Sequence, residues 1–90
     1  MSNLAESLKL IYMFYLEFIS APRKSDEANS AYDNYYVVRN SLAHTIGWKN
    51  AMIYGEHMEH LAARKHYGFS KDKFQTYLTM RSKSVFEQKL

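Results

Sequence analysis

The chain has 90 residues, with 12 Lys and Arg against 9 Asp and Glu, a formal charge of +3 and no cysteine. That length suits a single domain, 1–90, and the lack of cysteine excludes disulfide staples and thiolate chemistry, which fits a reducing, cytoplasmic setting. Hydrophobic residues at 47% and aromatic ones at 16% are too many for a disordered chain, and the mildly basic balance selects no class of partner.

The first helix is expected to begin at Asn3, which stands in capping-box spacing with Glu6. Leu4, Leu8, Ile11, Tyr15 and Phe18 then recur at steps of three and four, the signature of one helical face. Leu10, Met13, Phe14, Leu16 and Ile19 add apolar surface beyond that stripe, so this helix should be central or interfacial. It is not a membrane span, since the run from Leu8 to Ile19 carries Lys9 and Glu17 and falls short of the roughly 20 apolar residues required. Glu6 also stands where a secretory signal would carry basic residues. Pro22 ends the helix, and Ala21 to Asn29 reads as a polar connection.

A second helical segment starts at Ser30 or, with Asp26 and Glu27 in its first turn, at Ser25. It closes on Arg64, Lys65 and His66 just before Gly68. Between these ends Ala43, Gly47, Ala51 and Gly55 recur at every fourth position, a ridge of small residues that would let another helix approach closely. Residues 31–67 as one helix would extend about 55 Å, long for a domain of this mass. The rod therefore either breaks near Gly47 or is shared between protomers. Phe69, Ser70 and Phe74 match a hydrophobic staple that opens a further helix, with Phe74, Leu78, Arg81 and Val85 on one side and Lys71, Lys73, Lys83 and Lys89 on the other. No alternating strand pattern competes, so the expected fold is all-α: three helices, or four, around a long central one, self-associating most simply as a dimer.

Candidate sites are few. Glu56-His57-Met58-Glu59-His60 offers two imidazoles on one helical face but no third ligand, and it reads as solvated surface; no metal or cofactor is expected. Eight tyrosines, with Tyr32, Tyr35 and Tyr36 clustered, suit recognition, because each ring gives contact area at low rotamer cost. Arg39, Arg64 and Lys65 supply positive charge. Tyr32, Tyr36, Arg39, Arg64 and Lys65 are accordingly the candidate binding residues, and an acidic protein surface, a nucleic acid or a nucleotide is the expected partner of a small inhibitor or adaptor.

The element Arg39-Asn40-Ser41-Leu42-Ala43-His44 resembles the Arg, polar residue, three variable residues, His motif of HEPN-domain ribonucleases. The resemblance covers six residues. It implies an all-α protein in which Arg39 and His44 from two protomers meet at a dimer cleft and cleave RNA without metal, the arginine stabilising phosphorane charge and the histidine moving a proton. Ile46 replaces the tyrosine often found two residues after the histidine. On a regular helix Arg39 and His44 also point about 140° apart.

Overall fold

Asn3 caps the first helix as its spacing predicts: Oδ1 accepts the Glu6 N–H at 2.7 Å, and α1 runs Leu4–Ser20. The structure, a computed structural model, describes residues 3–68, 70, 72, 73, 75 and 76. Ala21 at the end of α1 takes an extended conformation before Pro22. The turn that follows is tight, with the Ser25 N–H donating to Pro22 O at 3.1 Å and Lys24 in the left-handed region at φ 63°. The connection is shorter than the sequence pattern implied, because Ser25 takes up the capping role. Its Oγ accepts the Ala28 N–H at 3.1 Å, and α2 runs Asp26–Ile46 with both acids at its positive end.

The central rod breaks at Gly47, and α3 runs Trp48–Tyr67 to a left-handed Gly68. Gly47 adopts φ 92° and ψ 153°, a region essentially closed to residues with a Cβ. It still completes both helices: its N–H donates to Ala43 O at 2.8 Å, and its carbonyl accepts the Ala51 N–H at 3.0 Å. The break folds the rod back on itself within a body whose longest dimension is 34 Å, so its length no longer asks for protomers to share it. Gly47 is exposed and meets nothing within 4 Å of where a Cβ would lie. Its reason is conformational, not the close packing that the ridge suggested.

Gly47→Ala should therefore lose about 1–3 kcal/mol, the usual cost of such a backbone conformation, and Gly47→Leu should lose about the same, because Gly47 is exposed and nothing lies within 4 Å of its Cβ position. Urea unfolding of the two variants checks this. A much larger loss for leucine would return the explanation to packing.

The chain goes up, down and up, with α1 packed on both α2 and α3; Ser20 Oγ and His66 Nδ1, 3.4 Å apart, join the ends of α1 and α3. Each helix buries a narrow stripe: Ser7, Ile11 and Tyr15 on α1; Ala28, Ala31, Tyr35, Leu42 and Ala43 on α2; Ala51, Gly55, Glu59, Ala62 and Ala63 on α3. Alanines dominate the α2 and α3 stripes, which brings the backbones together, while α1 contributes the bulk, Ile11 and Tyr15. Leu8, Tyr12, Phe14, Leu16, Phe18 and Ile19 of α1 pack around this core, as expected of a helix with partners on two sides. The burial of Tyr15 and half-burial of Tyr12 follow, and Leu4 and Met13 stay exposed.

No strand occurs among the described residues, and no helix among them is long and apolar enough to cross a membrane. Ser70 Oγ accepts the Lys73 N–H at 3.3 Å, the cap expected of a further helix. The staple partners Phe69 and Phe74, together with Lys71, Leu78, Arg81, Lys83, Val85 and Lys89, lie outside the described residues.

Candidate functional site

Tyr35 and Arg39 stand one turn apart on α2 and both reach Glu59 of α3. The Tyr35 hydroxyl donates to Glu59 Oε2 at 2.5 Å. Arg39 Nη1 donates to the same carboxylate oxygen at 2.6 Å and to the Tyr35 hydroxyl at 2.5 Å. Glu59 is 0% exposed, against 25% for the Arg39 side chain. The carboxylate expected on a solvated face is thus sealed in the core, and the run from Glu56 to His60 is split: Glu59 turns inward while His57 stays outside. Among the described residues no set of three metal-ligating side chains converges.

Burial pushes the Tyr35 hydroxyl above its ordinary value, and the negative charge and hydrogen bond of Glu59 push it the same way, against the smaller opposing effect of Arg39. Tyr35 is held as a neutral donor. Gly55 makes room for this arrangement, since a Cβ there would lie 2.7 Å from Arg39 Nε and 3.0 Å from Cζ. The two glycines of the small-residue ridge thus do different work: one bends the chain, the other clears space for a guanidinium.

A cavity of about 630 Å³ opens beside the cluster, within the range of small-ligand sites. Rings form much of its wall. Tyr15, Phe18, Tyr32 and Tyr35 close a circuit of tilted contacts with centroid separations of 5.9, 5.2, 6.0 and 5.3 Å, within the range of favourable ring pairs. Tyr36 and Trp48 stand at the mouth, 59% and 66% exposed. Arg39 and Asn40 are the polar members of the α2 wall besides the tyrosines, and Met52 closes the α3 side. The break at Gly47 is what sets α3 against α2 here, bringing Trp48, Ala51 and Met52 to face Tyr36, Arg39 and Asn40 around one opening.

Of the five candidate binding residues, Tyr32, Tyr36 and Arg39 line this cavity. Arg64 and Lys65 lie outside its lining, exposed in the last turn of α3, where their charge suits the helix end. Arg39 and His44 sit on one uninterrupted helix; the arginine turns to Glu59, and the His44 ring meets Trp48 edge-on at 5.9 Å. Trp48 and Met52 were not singled out by sequence reasoning, and Asn40 entered it only as the polar position of the HEPN-like element. The chain matches no protein-family model, no curated protein and no solved structure.

Proposed function

We propose that this protein is a small helical binding module whose cavity receives an acidic partner, a nucleic acid or a nucleotide, with Tyr32, Tyr36 and Arg39 as contacting side chains. The observation that carries this reading is the cavity itself, an aromatic opening with the Arg39 guanidinium in its wall. Rings that line a concave site give contact area without much loss of side-chain freedom, and the cation selects for negative charge. A binding role also agrees with the cluster behind the wall. A general base must come within hydrogen-bond reach of its substrate, and Glu59 is enclosed on all sides.

Trp48 is the chain's single tryptophan and stands at the mouth, so its fluorescence reports occupancy. Titration with nucleotides, single-stranded RNA and an acidic peptide should give saturable quenching by at least one of them. Tyr36→Ala should weaken that binding about tenfold or more while changing stability by less than about 0.5 kcal/mol, since Tyr36 is an exposed side chain at the mouth. Saturation that Tyr36→Ala leaves untouched, or no saturation by any of the three, overturns the reading. Cleavage of RNA in EDTA, abolished by His44→Ala with the helices intact, would replace it by the HEPN-like ribonuclease reading with Arg39 and His44 as the active pair.

A further inference from the structure

We infer that the cavity takes one nucleobase together with one phosphate group, the unit of a nucleoside monophosphate or of a single nucleotide within a strand; this rests on the cavity being a binding site. Three features of the wall define that ligand. Tyr15, Phe18, Tyr32, Tyr35, Tyr36 and Trp48 make it predominantly aromatic, and a flat ring is the shape that aromatic walls accept by stacking. Asn40, half-buried in the same wall, carries an amide that both donates and accepts, the pairing a base edge satisfies and a plain hydrocarbon ring does not.

The third feature is charge. Among the described residues Arg39 is the one cation in the lining, and it already shares Nη1 with the Glu59 carboxylate at 2.6 Å. Glu59 offsets part of the guanidinium charge, and the donors and charge that are left suit one anionic group. A triphosphate would bring further charges with no second cation among the described lining residues to meet them, since Arg64 and Lys65 lie elsewhere. The site should accordingly prefer a nucleoside monophosphate to both the uncharged nucleoside and the triphosphate.

Trp48 fluorescence decides this with adenosine, AMP, ATP, a short oligoadenylate, an acidic peptide and 2-naphthoate, which has a flat ring and one charge but no base edge. AMP should bind about tenfold more tightly than adenosine or 2-naphthoate, and ATP no more tightly than AMP. Asn40→Ala should erase the advantage of AMP over 2-naphthoate while leaving the helical circular dichroism unchanged. Equal affinity of AMP and oligoadenylate per site assigns the free nucleotide as the source, and tighter binding of the strand assigns the strand; both uphold the chemistry. If ATP, 2-naphthoate or the peptide binds more tightly than AMP, and Tyr36→Ala abolishes it, this inference falls and the binding reading stands. If none of the six ligands binds, both fall.

Discussion

Glu59→Ala should lower the unfolding free energy by about 3–5 kcal/mol, the cost of leaving a partly buried arginine without its counter-ion. For a domain of this size that is a large share of the total, so the variant should melt at a much lower urea concentration or fail to fold. The cost belongs to the stranded partners, not to the ion pair as such. Arg39 is one of them. The other is the Tyr35 hydroxyl, a buried donor whose acceptor would be gone. Replacing all three together, Tyr35→Phe with Arg39→Met and Glu59→Met, should recover most of the loss, because an apolar cluster of similar volume strands nothing. Equilibrium urea unfolding of the single and triple variants makes the comparison. A single Glu59→Ala variant as stable as the parent would mean that the cluster contributes nothing to folding.

Gly55→Ala is also expected to destabilise the protein, although alanine is the better helix former by about 1 kcal/mol. The new methyl would press on Arg39 Nε at 2.7 Å, so the guanidinium would have to shift while it is held on Glu59 and Tyr35. A net loss of about 1–3 kcal/mol follows from such overpacking. The diagnosis lies in coupling. In the background that carries Tyr35→Phe, Arg39→Met and Glu59→Met, no anchored guanidinium opposes the methyl, so the same Gly55→Ala should become neutral or stabilising. If alanine stabilises the parent protein, Arg39 yields freely and the space at Gly55 is not a requirement of the fold.

Much of the helical plan is legible in the chain, and the reason is local. Asn3, Ser25 and Gly68 act on backbone groups within a few residues of themselves, so spacing alone reveals them. The small-residue ridge proved to be two: Ala43 is buried on α2, Ala51 and Gly55 are buried on α3, and Gly47 stands exposed at the bend between them. Four residues beyond Gly55 the ridge reaches Glu59, and four further it reaches Ala63; that continuation placed a carboxylate in the buried stripe and was the available signal for the cluster. Read in its own segment, among Glu56, His57 and His60, the same residue looks like solvent-facing charge. Tyr35 and Arg39, one turn apart on α2, are its complement, but only the fold shows which helix they face. The cavity was half legible for a similar reason. Tyr32, Tyr36 and Arg39 share a wall on one helix, whereas Trp48 and Met52 join it only because the chain doubles back at Gly47.

The cluster also bears on how the two longer helices find their alignment. A single residue, Gly47, joins α2 to α3, so the bend itself sets how far along one helix lies against the other. Tyr35 and Glu59 stand equally far from it on either side, so their contact, with Arg39, closes the hairpin about three turns from the bend, where Gly55 leaves the gap that the guanidinium needs. One charged contact thereby acts as the clasp on a folded strap, holding shut what the bend only brings near.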